Sequence, residues 1–229
     1  MTASVSGDGA GTPLGAALLE VVAVMDRLRS PGGCPWDAEQ DHRSLAPYLI
    51  EEAYEALQAI EDDDLDALRD ELGDVLLQVL FHARLAEELP ADRRWSIDDV
   101  AAGLVAKLTR RHPHVFGDTV VSGADDVNRN WEQLKAAERG GASAVASVPM
   151  NSPALTLTAK LQRKGGVEPV SASELVEVTE RFAAAPSDET AAALLWAAVS
   201  LMRSHEIDPE AALRAKARVF RDEVLAADS

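Results

Sequence analysis

The chain has 229 residues, 47% of them hydrophobic, enough apolar material for a real core in one large or two small domains. Its 22 basic and 39 acidic residues leave a formal net charge of −17, which argues against binding to nucleic acid or to an anionic membrane. Cys34 is the only cysteine, so no intramolecular disulfide is possible, and no apolar run reaches membrane-spanning length; a soluble cytoplasmic protein is expected.

Met1 to Pro13 lacks a basic start and a continuous apolar stretch and reads as a flexible tail. Leu14 to Arg29 carries Leu18, Val21, Val22, Met25 and Leu28 at helical spacing, and Ser30-Pro31-Gly32-Gly33 stops it. Cys34 follows in that turn, with no base beside it to make it a nucleophile. A second helix is expected from Ser44 to Ile60, with Pro47 tolerated in its first turn. Asp64, last of the acidic run that starts at Glu61, is placed to cap a third helix from Leu65 to Glu88. The middle of that helix, Leu76 to Phe81, is apolar nearly all round and predicts the most buried element. Ser96 with Asp99 resembles a capping box opening a fourth helix to about Arg111, which Pro113 ends. A further helix is expected from Ala124 to Arg139. No convincing alternating strand occurs, so the fold class is all-α, an antiparallel helical bundle over residues 14–139.

Residues 140–153, small, polar and punctuated by proline, form the expected linker. Residues 154–229 then predict helices at Ala154–Arg163, Ser173–Ala184, Asp188–Ser204 and Pro209–Leu225. A weak internal repeat is visible here. Glu189 to Ala192, followed by Leu194-Leu195-Trp196, lies over Glu71 to Asp74 followed by Leu76-Leu77-Gln78. Ala192 then replaces the aspartate, and Glu177-x-x-Glu180 is the remnant of an earlier acidic cluster, so the second half reads as a degenerate helical repeat.

The chemistry-bearing feature is two acidic clusters, Glu51-Glu52-x-x-Glu55 and Glu71-x-x-Asp74, on consecutive helices. At about 100° per residue, the first three acids share one arc, and Glu71 and Asp74 lie about 60° apart. Glu52 falls inside the stripe of Leu45, Tyr48, Leu49, Ala53, Ala56 and Ile60, and Asp74 is bracketed by Leu72, Val75, Leu76 and Leu77. Acids pushed toward one core repel and lose hydration unless cations neutralise them. Carboxylates without histidine or cysteine select Mg²⁺ or Mn²⁺ over zinc or copper, and such a site suits phosphate-ester or phosphoanhydride chemistry. His82 reads as packing. The densest basic stretch runs from Lys107 through Arg110 and Arg111 to His114, where the cations either complement the helix dipole or hold outer phosphates. Trp131 either packs or stacks a base.

At these residues the chain resembles the MazG-type nucleoside triphosphate pyrophosphohydrolases. The resemblance is carried by Cys34-Pro35-Trp36-Asp37, His42-Arg43-Ser44-Leu45, Pro47-Tyr48, the acids from Glu51 to Glu55, and Glu71-Leu72-Gly73-Asp74. Lys107 through Asp118 and Asn130-Trp131-Glu132 continue it, over roughly Leu14 to Arg139. It implies Mg²⁺-dependent hydrolysis of a nucleoside triphosphate to monophosphate and pyrophosphate by a homodimer or higher assembly of helical bundles. Glu52, Glu55, Glu71 and Asp74 would ligate the metals, and Glu51 would add a ligand or orient the attacking water. Lys107 and Arg111 would neutralise the departing pyrophosphate, and Trp131 would contact the base. Competing readings are a narrower substrate, such as dUTP, dCTP or phosphoribosyl-ATP, and a non-catalytic regulator that binds divalent ions.

Overall fold

The structure, a computed structural model, describes residues 13–138 and 140–228; most of the expected tail, together with Arg139 and Ser229, lies outside them. Eleven α-helices and one short 3₁₀ turn make up the regular structure, with no strand among the described residues. The fold is all-α, as the periodicity implies. Two compact units divide the chain, one running to Val120 and the other from Val121 onward.

The first unit holds α1 (Ala16–Arg29), α2 (Pro35–Glu39), α3 (Ala46–Glu61), α4 (Leu65–Ala86), α5 (Ile97–Arg111) and α6 (Pro113–Phe116). Local chemistry sets their ends. Gly33 lies so close to the end of α1 that an added Cβ would fall 2.1 Å from the Leu28 carbonyl oxygen, so the turn into α2 needs glycine there. The Asp64 side chain accepts from the Asp66 and Ala67 N–H groups at 3.1 and 3.0 Å, the expected cap of α4. At α5 the Ser96 N–H donates to the Asp99 carboxylate at 2.8 Å. The core gathers Met25, Leu45, Leu80, Phe81 and Leu85, with Val21, Val22, Leu76 and Ile97 packed against it.

α4 is the central element, touching α1, α3 and α5. It buries Gln78, Leu80 and Phe81 from the stretch expected to be deepest. That expectation holds for one side only, because Leu77 and Val79 are exposed. The α3 stripe is likewise half realised: Leu45 and Ala56 are buried, whereas Tyr48, Ala53 and Ile60 face outward. The reason is geometric. α3 packs chiefly on α4, and a single neighbour covers only part of its apolar circumference.

The second unit contains α7 (Ala124–Glu138), α8 (Ala154–Lys164), α9 (Ala172–Ala184), α10 (Asp188–Ser204) and α11 (Pro209–Ala227). α10 is its hub, packed on α8, α9 and α11. Polar groups stitch it: Gln162 Nε2 donates to the Trp196 carbonyl at 2.9 Å, and the Val170 N–H donates to Ser200 Oγ at 3.0 Å. Within 140–153, the short turn Val145–Ser147 is followed by buried Val148, and Lys164 Nζ donates to Ser147 Oγ at 2.8 Å. No helix among the described residues is long and apolar enough to cross a membrane.

Candidate metal centre

The acidic site is built by a helical hairpin. α3 and α4 are joined by Asp62, Asp63 and Asp64, and Asp63 takes the left-handed conformation at φ 55°. So short a link makes the two helices antiparallel neighbours. Residues equally far from Asp63 in opposite directions then lie level across the seam. Glu55 and Glu71 each stand eight residues from it, and Glu52 and Asp74 each eleven. The acidic clusters therefore face each other because of their distances from the turn.

Ligand oxygens of Glu52, Glu55 and Glu71 all lie within 4.8 Å of one another, the one such group of acids, histidines or cysteines among the described residues. Glu52 and Glu71 are half-buried, and Glu55 is exposed. Desolvation raises the pKa of Glu52 above the ordinary carboxylate value, and the negative charge of Asp74 and the neighbouring Glu55 and Glu51 push it further. Desolvation likewise raises Glu71, followed by repulsion from Glu55, Asp74 and Asp70. Asp74 thus acts electrostatically on both half-buried glutamates, although its own carboxylate is exposed and stands outside the tight group of three. Glu51 is exposed one position before Glu52. The acids occupy the rim of the α3–α4 seam and not its core, a shallower position than the apolar bracketing implied.

The donor set fits a hard divalent ion. Around an octahedral Mg²⁺ with bonds of about 2.1 Å, adjacent ligands lie about 3.0 Å apart and opposite ones about 4.2 Å, so oxygens held within 4.8 Å of one another draw inward to share one ion. Carboxylate oxygens without nitrogen or sulfur disfavour zinc and copper.

Other expected residues stand on other elements. Lys107, Arg110 and Arg111 occupy the last turns of α5 in the same unit, with Lys107 and Arg110 exposed and Arg111 half-buried. Trp131 is half-buried on α7, which belongs to the second unit. The structure also shows what pattern reading missed. His42, read only as part of a motif, and His82, read as packing, face each other, Nδ1 to Nδ1 at 2.8 Å with rings stacked at 5.1 Å. One ring must donate and the other accept, so both cannot be protonated there without breaking the bond. Burial, and then the charge of His42, lowers the His82 pKa accordingly. Beside this pair, Asp41 Oδ1 accepts from the Arg43 and Ser44 N–H groups at 2.7 and 2.8 Å, shaping the turn that launches α3. Forty residues separate the histidines, so no local pattern could have joined them.

A helical hairpin presenting converging carboxylates defines the class: an all-α protein with an acidic candidate site for a divalent cation. The comparisons with known proteins narrow it. The MazG nucleotide pyrophosphohydrolase domain matches residues 40–116, which include both acidic clusters and the basic end of α5. The "Nucleoside triphosphate pyrophosphohydrolase/pyrophosphatase MazG" of Thermotoga maritima is 41% identical over 214 residues, 88% of this chain and 81% of that protein. An "Uncharacterized 26.1 kDa protein in blaB 3'region" of Streptomyces cacaoi is 44% identical over 218 residues, 93% of this chain and 84% of that one. The "Nucleoside triphosphate pyrophosphohydrolase" of Escherichia coli is 44% identical over 148 residues, 63% of this chain and 55% of the relative. The chain belongs to the MazG family of nucleotide pyrophosphohydrolases.

Proposed function

We propose that this chain hydrolyses nucleoside triphosphates to the monophosphate and pyrophosphate with Mg²⁺, for which Mn²⁺ substitutes, by attack of water at the α-phosphorus. The observation that carries this reading is the convergence of Glu52, Glu55 and Glu71 within 4.8 Å, in a chain whose relatives are named for that activity. Glu52, Glu55 and Glu71 hold the metal, and Asp74, level with Glu52 across the hairpin, completes the ligand set. A divalent ion bound there neutralises phosphate charge and lowers the pKa of a coordinated water. Glu51 accepts a hydrogen bond from the attacking water or adds a ligand. Lys107, Arg110 and Arg111, at the end of α5, neutralise the departing pyrophosphate. Trp131 stacks on the base, a contact that tolerates any base.

The same reading assigns catalysis to residues 14–139 and a structural or associative role to the degenerate second half, where Ala192 stands in place of an acid in the repeat. It also takes the protein to be cytoplasmic and to work as a homodimer or higher homo-oligomer, a state favoured by exposed apolar residues such as Leu104, Val105 and Leu108 on α5. The test is a nucleotide panel assayed with and without Mg²⁺ in oxygen-18 water. The expected result is Mg²⁺-dependent pyrophosphate release with the label in the monophosphate. Label in the pyrophosphate would overturn the α-phosphorus assignment, and absence of turnover with every nucleotide would overturn the enzymatic one.

A further inference from the structure

The second unit carries a cleft charged in the opposite sense to the acidic seam. Lys160 and Arg163 on α8 and Arg203 near the end of α10 line it with Thr156, Glu206 and Ile207, and its volume is about 490 Å³. Arg203 is anchored through Nη2, which donates to the Val167 carbonyl at 3.0 Å. Its other terminal nitrogen, Nη1, is buried and has no hydrogen-bond partner among the described residues. Of the two acids at the rim, Asp208 is committed to capping α11, accepting from the Glu210 and Ala211 N–H groups at 2.9 and 3.1 Å. Glu206 is exposed.

The first unit treats the arginine near the end of its own long helix differently. Arg84 of α4 meets Asp26 at 2.8 Å and Glu88 at 3.0 Å. No carboxylate within ion-pair distance neutralises Lys160, Arg163 or Arg203 among the described residues. In a chain of net charge −17, a cleft lined by three cations against two carboxylates is a local reversal of the field.

We propose that this cleft binds a polyphosphate group without the help of a divalent ion. Cations on two separate helices suit a ligand whose negative oxygens are spread over linked phosphates, and guanidinium forks match phosphate geometry. The site does not depend on the reaction assigned to the acidic hairpin, because it lies in the other unit and needs no metal.

Titration calorimetry of the full chain in EDTA tests it, with inorganic pyrophosphate, orthophosphate and sulfate as probes. The expected result is one pyrophosphate per chain, bound more tightly than either smaller anion and weakened by added salt. The Lys160→Gln/Arg163→Gln double variant, which keeps the side-chain stems on α8, should lose about tenfold or more in affinity. Its nucleotide turnover at low product concentration should be unchanged. Glu55→Gln should leave metal-free pyrophosphate binding as it is. The proposal is overturned by absence of binding, by sulfate binding as tightly as pyrophosphate (an adventitious ion only), by undiminished affinity in a folded double variant, or by loss of metal-free binding in Glu55→Gln. Failure of nucleotide hydrolysis would leave these binding results intact, so the two readings fail separately.

Discussion

Glu55 stands between Glu52 and Glu71 and raises the pKa of both, so neutralising it acts on the whole group at once. Glu55→Gln removes repulsion from the metal-free protein and a ligand from the metal-bound one. Its melting temperature in EDTA should equal or exceed that of the parent, while the stabilisation gained on adding Mg²⁺ shrinks and turnover falls by more than about 100-fold. A variant with near-parental turnover would remove Glu55 from the ligand set. The pH dependence follows from the same shifts. Glu52 and Glu71 have folded pKa values above their unfolded ones, so between the two values the folded state holds more protons. Stability of the metal-free protein contributed by these groups therefore rises as pH falls through the raised values and is lost as pH climbs back. Metal affinity moves the other way, because protons compete for the same oxygens. Mg²⁺ titrations across the mildly acidic range should show weaker binding at each lower pH; affinity independent of pH would contradict the assignment.

Among the elements, the ends of α1, α2 and α4 are tied by one ionic network. Arg29 grips Glu88 through two bonds of 2.8 and 2.9 Å, and donates also to the Asp37 carbonyl. Arg84 links Glu88 at 3.0 Å to Asp26 at 2.8 Å. The Arg29 side chain is only 9% exposed, so Glu88→Gln would leave a nearly buried cation without its carboxylate. The expected loss is about 1–3 kcal/mol in denaturant unfolding. Glu88 has a depressed folded pKa, chiefly from its hydrogen bond to Arg29, so its stabilisation is present above the ordinary carboxylate value and disappears as pH falls through the depressed one. The variant should flatten that part of the acid transition. This network was invisible in the sequence, because its partners are 58 and 59 residues apart. What was legible is local: Asp64 capping α4, Ser96 with Asp99 opening α5, and helix limits within a few residues, since caps and 3.6-residue spacing act over one or two turns. α2 and α6, with five and four residues, are too short to show a period, and they were missed. The level pairing of Glu55 with Glu71 could have been read by counting outward from Asp63, but only once the link was recognised as a tight antiparallel turn.

At the scale of the whole molecule, the largest gap between pattern and structure is apolar surface. Leu18 is 55% exposed, Ile60 55% and Leu77 37%, although each falls in an apolar stripe or run whose pattern promised burial. Periodicity reports which face wants cover and not what covers it, and among the described helices the cover is incomplete. α5 states the case most clearly: it has no buried residue, yet Leu104, Val105 and Leu108 crowd one segment of it. A chain of net charge −17 that leaves such faces open repels other copies at long range and joins them only where apolar surfaces fit closely. Self-association should therefore tighten as salt screens the repulsion, opposite to the salt dependence expected of pyrophosphate in the basic cleft. Sedimentation should return at least twice the 24.4 kDa of one chain, with the oligomer favoured at higher ionic strength and its melting temperature rising with protein concentration. Val105→Lys, placed on the exposed face of α5, should shift the distribution toward a folded 24.4 kDa species. A parent protein that sediments as a single chain at every concentration and salt would remove the homo-oligomer from the proposal.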